Sequence, residues 1–303
     1  MNVLLTGANG FLGKEITFNI KDKCKLFNSS RYNSDFNYDL SLSVPKFDIY
    51  FDLVIHAAGL AHILKVDESE QNLFHVNNVK ATENLLASFE VGMLPKYFVF
   101  ISSVSVYGIE NGELVNESSE LNAIDPYGLS KINAEKLILN WCNKNKIICT
   151  IFRLPIIVGK YPKGNLKDMI DFIKKGYFFN ISGVNAKKSM VLAEDVAKSI
   201  FQVYDIGGIF NLTDGYHPSI VEISNLISLQ YRNKTNLTLP AFIVKMFSKI
   251  GNLFGRFAPI NTKRYNKLTA TLTFDDTKAR NTFGWNPNPV LSYNYKSFSI
   301  KKN

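Results

Sequence analysis

TGANGFLG, residues 6–13, is the stretch that decides the fold. It continues the apolar run NVLLTG (2–7) and leads into FLGKEITFNI, whose spacing predicts a helix. Strand, glycine turn and helix therefore follow one another from the first residues. Gly7, Gly10 and Gly13 fall at G-x-x-G-x-x-G spacing, not the G-x-G-x-x-G of the usual dinucleotide fingerprint. The physics carries over: a tight turn, close backbone approach to a pyrophosphate, and a helix N-terminus aimed at its charge. Gly7, Asn9, Gly10, Phe11, Leu12 and Gly13 are the residues expected to cradle a dinucleotide.

Working outward, DLVIHAA (52–58), KYFVFISS (96–103) and IICTIFRLP (147–155) read as further buried strands. FHVNNVKATENLLASFE and YGLSKINAEKLILNWCNK carry helical spacing between them. The alternation predicts an α/β fold, a Rossmann-type doubly wound parallel sheet with helices on both faces. After residue 158 turn signals dominate, at YPKGN, TDGYHP, FAPIN and WNPNP. Residues 1–158 are expected to form the dinucleotide-binding domain, with 189–213 returning to it. Residues 159–188 and 214–303 are expected to form a smaller substrate-binding lobe.

Of the 303 residues 46% are apolar and 20% charged, which suits a globular protein. No run approaches the roughly 18 apolar residues of a membrane span, and MNVLLTGANG lacks the pattern of a secretory signal. Cys24, Cys142 and Cys149 show neither metal-ligand nor redox spacing. They read as reduced thiols, so the expectations are a cytoplasmic address and no metal site. The net charge of +9 favours anionic partners. The basic residues are scattered without aromatic interleaving, so no nucleic-acid partner is expected.

An Asp or Glu about 20 residues past the glycines marks a preference for NAD. In CKLFNSSRYNSD (24–35) that position holds Asn28 or Ser29, with Arg31 close behind. An arginine there meets a 2′-phosphate, so NADP(H) is favoured over NAD. The alternatives are that Asp35 reaches back or that Arg31 faces solvent. Asp39, before Leu40 in NYDLSL, either bonds the adenine amino group or caps the next segment. In HAAG (56–59), Ala57, Ala58 and Gly59 let a cofactor lie against the backbone, and His56 reads as a structural hydrogen-bonder.

PYGLSK (126–131) opens a helix twenty residues after SSVSVYG (102–108). A tyrosine with an ordinary pKa near 10 is a poor base at neutral pH, and a lysine one turn away stabilises its phenolate. A strand-end serine can orient the reacting oxygen. Tyr127 is expected to be the acid/base, Lys131 its tuner and Ser103 the orienter.

Together these motifs resemble the extended short-chain dehydrogenases/reductases of the NAD-dependent epimerase/dehydratase family, which act mainly on nucleotide sugars. TGANGFLG, YDL, HAAG, VNNVKATENLL, SSVSVYG, PYGLSK, RLPIIVG, KGN and KSMVLAEDVA occur in family order. The resemblance implies that Asn78 supports the active-site helix and that Pro155 lies near the nicotinamide. It places Ser103 and Ser105 against the substrate, and Asn165, Lys188 and Arg264 on its diphosphate. It also implies a nucleotide-sugar substrate and a homodimer formed through the helices after SSVSVYG and PYGLSK.

Sugar 4,6-dehydratases resemble S-T-D-E-V-Y-G where this chain has Val104 and Ser105, so elimination of water is not expected. Ile156 stands where UDP-galactose 4-epimerases carry a substrate-binding asparagine. Two activities remain. One is reduction of a UDP-4-keto-6-deoxy-N-acetylhexosamine in surface-polysaccharide biosynthesis, which Arg31 favours. The other is 4-epimerisation of an N-acetylhexosamine linked to UDP or undecaprenyl diphosphate. A non-catalytic NAD(P)-binding sensor is the alternative of another class. AFIVKMFSKIGNLFGRF (241–257) is basic and amphipathic. It suits either peripheral contact with the inner membrane face or, as the favoured reading, a lobe helix with snorkelling lysines. Gly251 and Gly255 argue against one continuous helix there.

Overall fold

Apolar runs without polar interruption become strands covered on both faces. In the computed structural model, which describes residues 1–61, 69–252 and 260–298, the strands are β1 (Asn2–Thr6), β2 (Lys25–Ser30), β3 (Phe36–Asn37), β4 (Leu53–His56), β5 (Tyr97–Ser103), β6 (Gly112–Val115), β7 (Ile148–Leu154), β8 (Ile156–Val158), β9 (Phe179–Ile181), β10 (Met190–Leu192), β11 (Gly208–Asn211), β12 (Leu237–Leu239) and β13 (Leu272–Phe274). The helices are α1 (Phe11–Ile20), α2 (Ser69–Phe74), α3 (Ala81–Glu90), α4 (Pro126–Asn145), α5 (Gly164–Lys175), α6 (Ala193–Val203), α7 (Ile220–Arg232), α8 (Ala241–Gly251), α9 (Thr262–Thr269) and α10 (Thr277–Phe283). A π-helical turn, His75–Lys80, joins α2 to α3.

Seven strands form one sheet in the order β11-β7-β5-β4-β1-β2-β3, and every neighbouring pair is parallel. The fold is the expected Rossmann-type doubly wound sheet. Alternate residues serve opposite faces. Val3, Leu5, Ile55, Val99 and Phe152 pack against Ile16 of α1 and Val196 and Ile200 of α6. Leu4, Val54, Phe98, Phe100 and Ile151 pack against Leu85 and Phe89 of α3 and Ile138 and Trp141 of α4. Thr6 pairs with both Ser29 and His56, so the carboxyl ends of β2, β1 and β4 are level. Between β1 and β4 the strand order reverses, and a crevice opens there at the carboxyl ends.

Within 189–213, β10 pairs with β8 in a separate two-stranded sheet, α6 covers the main sheet, and β11 extends it beside β7. A further core joins α5, α7, β8 and β10 through Val158, Ile170, Met190 and Ile223. The 241–257 stretch forms a helix that ends at Gly251, as its glycine suggests, and residues 253–257 lie outside the described residues. No helix among the described residues is long and apolar enough to cross a membrane.

Candidate active site

After β1 the chain turns through Gly7, whose φ of +73° lies in the left-handed region that glycine adopts without strain. A Cβ on Gly7 would stand 2.6 Å from the Ala58 nitrogen, and one on Gly13 would stand 2.1 Å from the Gly7 carbonyl oxygen. A side chain at Gly7 would push the turn away from the loop after β4, and one at Gly13 would push α1 away from the turn. Gly10 is the N-cap of α1 and offers no side-chain cap. The first-turn N–H groups on Phe11, Leu12 and Gly13 therefore have no intrahelical acceptor, and they point where an anion would sit. The cradle fits a dinucleotide pyrophosphate.

Asn9 ties this turn to the end of β2, its Nδ2 donating to the Tyr32 carbonyl at 2.6 Å and its N–H to Ser30 Oγ at 3.3 Å. Arg31 is exposed there. The Asp35 carboxylate accepts the Asn28 N–H at 2.7 Å. Asp39 accepts the N–H and the hydroxyl of Ser41, at 3.0 and 2.6 Å, which is the capping arrangement. The Leu40 carbonyl accepts from Asn84 Nδ2 at 2.7 Å.

His56 at the end of β4 belongs to a one-directional chain of hydrogen bonds. The Ala58 N–H donates to Thr6 Oγ1 at 3.3 Å, leaving the Thr6 hydroxyl to donate to His56 Nδ1 at 2.7 Å. Thr82 donates to the Asn78 carbonyl at 2.6 Å and so accepts from His56 Nε2 at 3.0 Å. The network assigns the neutral Nε2–H tautomer. Burial, with the Lys131 charge second, pushes His56 down to about 3. At neutral pH it is a structural link, as expected.

Asn78, in the π-helical turn, takes up where that chain ends. Its Oδ1 accepts the Leu60 N–H at 2.7 Å, and its Nδ2 donates to Ser130 Oγ at 2.8 Å. Ser130 in turn donates to the Tyr127 carbonyl at 2.7 Å. The loop after β4 is thereby tied to the first turn of α4.

That turn has its own sequence logic. Asp125 is the N-cap, accepting the Gly128 N–H at 3.0 Å, and Pro126 starts the helix where no donor is needed. Tyr127 lies against Phe74, ring centroids 5.6 Å apart, and its hydroxyl faces Ser103 at the end of β5. Burial raises the phenol above its ordinary value; Ser103 opposes this and the Asp125 carboxylate adds to it. The Lys131 ammonium donates to the Ile101 carbonyl at 3.0 Å and sits 4.7 Å over the centre of the Phe100 ring. Burial pushes Lys131 down to about 8, while Glu135 pulls it up. Gly59 completes the cluster: a Cβ there would come within 3.1 Å of Asn78 Oδ1 and 3.4 Å of Lys131 Nζ.

Sequence reasoning missed the layer beneath. Glu135, one turn past Lys131, accepts from Ser102 Oγ and from the Arg153 guanidinium, Nη2 to Oε2 at 2.7 Å. Arg153 Nη1 donates to the Tyr107 oxygen at 3.2 Å, and Tyr107 donates to Asn211 Oδ1 at 2.8 Å. Asn211 Nδ2 reaches the carbonyls of Val115 and Asp275, at 3.1 and 3.3 Å. The signal available was an i, i+4 Lys-Glu pair on α4 and a lone arginine inside a strand.

On the substrate side, Ser103 Oγ accepts the Ser105 N–H at 3.2 Å, and Ser105 Oγ is buried without a hydrogen-bond partner among the described residues. Pro155 is half-buried between β7 and β8. Lys188 is held below its ordinary value by burial and then by Lys267, with Glu110 opposing. Lys267, on α9, is the cation that acts on Lys188, and sequence reasoning did not single it out. Asn165 and Arg264 are exposed in the first turns of α5 and α9. The hydrogen bonds that join Asn78, Ser130 and the Tyr127 carbonyl do not extend to Asn165.

Residues 3–212 match the model of the NAD dependent epimerase/dehydratase family. The chain is 28% identical to a UDP-glucose 4-epimerase of Vibrio cholerae over 97% of its own length and 93% of that protein's. It is 25% identical to the N-acetyl-alpha-D-glucosaminyl-diphospho-ditrans,octacis-undecaprenol 4-epimerase of Escherichia coli O157:H7, covering 93% of this chain and 89% of that one. The crystal structure of a UDP-N-acetylglucosamine 4-epimerase from Bacillus cereus shares the fold, with TM-score 0.73 and 20% identity over 98% of this chain and 95% of that one.

Proposed function

Because the chain belongs to the NAD-dependent epimerase/dehydratase family, we propose that it is a 4-epimerase of a sugar carried on a diphosphate. The observation that carries this reading is the Ser103–Tyr127 pair, with Lys131 one turn along α4 and against Gly59 in the loop after β4. Resemblance to two 4-epimerases along nearly the whole chain supports it.

Bound in the cradle, the dinucleotide supplies the acceptor and donor of hydride at C4. Tyr127 takes the proton of the 4-hydroxyl in the oxidative half and returns it to the ketone oxygen in the reductive half. Its raised pKa keeps it protonated at neutral pH, and donation from the Ser103 hydroxyl stabilises the phenolate that the oxidative half requires. Ser103 also directs the 4-oxygen, and Ser105 offers its buried hydroxyl to the sugar. Lys131, held by the Ile101 carbonyl, brings positive charge to the same pocket, and Glu135 favours its charged form. Lys188 and Lys267 hold the diphosphate, joined by Asn165 and Arg264. Leu40, Ala57, Ala58, Gly59 and Pro155 line the dinucleotide, Asn78 supports the active-site helix beside it, and Asp39 caps the segment that follows β3. Residues 159–188 and 214–303 serve as the substrate lobe.

Arg31 favours a second reading. Ser29, Ser30 and Arg31 at the end of β2 suit a 2′-phosphate, and Asp35 spends its carboxylate on the Asn28 N–H. An NADP(H)-dependent 4-keto reductase would follow. The test is to denature freshly purified protein and identify the released dinucleotide, then supply sugar substrates. Retained NAD, with a C4 epimer formed from a UDP-sugar or lipid-diphosphate sugar, supports the epimerase. NADPH consumption on a 4-keto sugar nucleotide replaces it with the reductase.

A further inference from the structure

Helix α8 is apolar on two sides. Val244, Ser248 and Gly251 are buried, and Val244 packs with Ile181, Ile260 and, on α9, Tyr265 and Leu268. The outward side carries Phe242, Met246, Phe247 and Ile250, exposed by 74%, 53%, 52% and 46%. Phe242, Met246 and Ile250 recur every fourth residue and share one stripe. Lys245 and Lys249, both exposed and one turn apart, run along its border. A helix on the surface of a globular lobe ordinarily turns polar side chains to water on that side.

The charge around it is just as one-sided. Between Glu222 and Asp275 the sequence has eight Lys or Arg and no Asp or Glu, so this stretch holds eight of the chain's nine net positive charges. Elsewhere acids balance the basic residues, which is why these looked merely scattered. Packed against α8, α9 adds the exposed Lys263, Arg264 and Lys267.

We infer that the outward face of α8, with α9 beside it, docks on the surface of an anionic phospholipid bilayer. Charge complementarity selects a negative surface, and the apolar stripe selects one with a hydrocarbon layer under its headgroups. Nucleic acid would answer the cations but leave Phe242, Met246 and Ile250 in water. An apolar protein face would cover the stripe but leave the cations unanswered. With no spanning helix among the described residues, α8 lies in the interface plane, stripe down and lysines at headgroup level. This goes beyond the C4 chemistry, and its apolar stripe on α8 lies outside the residues proposed to hold the dinucleotide and the sugar. The same α8–α9 hairpin carries Lys267, so docking sets the diphosphate end of the cleft beside the bilayer.

The test is co-sedimentation of the full chain, without substrate, with phosphatidylcholine vesicles that contain or lack phosphatidylglycerol. The wild type pellets with the anionic vesicles and not with the neutral ones. Phe242→Ser with Met246→Ser weakens this binding by about tenfold or more. Lys245→Gln with Lys249→Gln weakens it roughly fivefold per charge and flattens its salt dependence. Both pairs replace exposed side chains and keep the wild-type melting temperature. Three results overturn the inference: wild type that stays in solution with anionic vesicles, a Phe242/Met246 pair that binds like wild type, or a lipid-free dimer that this pair turns into monomer. The last would make a second copy of the chain the true cover of the face.

Discussion

Glu135 and Arg153 meet in a two-pronged ion pair under the active-site helix, Nε to Oε1 at 3.2 Å and Nη2 to Oε2 at 2.7 Å, with the residues only 1% and 3% exposed. The pair joins α4 to β7 and, through Tyr107 and Asn211, reaches Asp275 between β13 and α10. It fixes the turn of α4 that bears Lys131. Removing one partner leaves the other charged and buried. Glu135→Ala is therefore expected to cost about 3–5 kcal/mol in urea unfolding, and Glu135→Ala with Arg153→Met less than the sum of the single changes. Additive losses would mean that the two charges do not support each other.

Lys131 is held below its ordinary 10.5, at about 8, chiefly by burial. Its folded-state charge thus opposes stability, by at most about 3 kcal/mol below pH 8. Lys131→Met is expected to abolish turnover and to match or exceed the stability of the wild type at pH 7. That advantage shrinks as pH rises from about 8 to 10.5, because the folded lysine has given up its proton while the unfolded one still holds it. Parallel stability curves for the two proteins across this window would contradict the assignment.

His56, lowered from 6.5 to about 3, contributes stability that is present above 6.5 and lost as pH falls towards 3, because the unfolded state takes the proton first. The wild type should lose about 1.4 kcal/mol per pH unit from this group in that range. His56→Gln is expected to be less stable at pH 7 and to show a shallower acid limb in thermal unfolding followed by circular dichroism.

Lys188 and Lys267 repel each other, and a diphosphate between them would relieve that repulsion. Lys267→Ala is expected to raise KM for a diphosphate-linked sugar about tenfold with kcat nearly unchanged, the signature of lost uniform binding. A fall in kcat at constant KM would place Lys267 elsewhere in the reaction.

The sequence made the frame legible because glycine spacing and apolar alternation are local signals. TGANGFLG, the four main strands and the first turn of α4 all stand where their patterns put them. What it hid is contact between distant residues. Arg153 and Glu135 sit in separate motifs, and only the crossover from α4 to β7 makes them partners. Lys267 lies in a segment without a strong motif, so nothing local marked it. The Lys131 ammonium bonds to the Ile101 carbonyl, a contact that no motif encodes. The imbalance of charge on α8 and α9 was in the letters all along, but only a count of missing acids reveals it.

The central claim is that Tyr127 moves the proton at the sugar oxygen while Ser103 orients it. Its most direct test is Tyr127→Phe, which keeps the ring against Phe74 and removes only the hydroxyl. Dinucleotide retained on purification and sugar turnover should be measured on the same sample. The account predicts wild-type retention with turnover reduced at least about a hundredfold. Turnover within a few fold of wild type, with dinucleotide still bound, would contradict it.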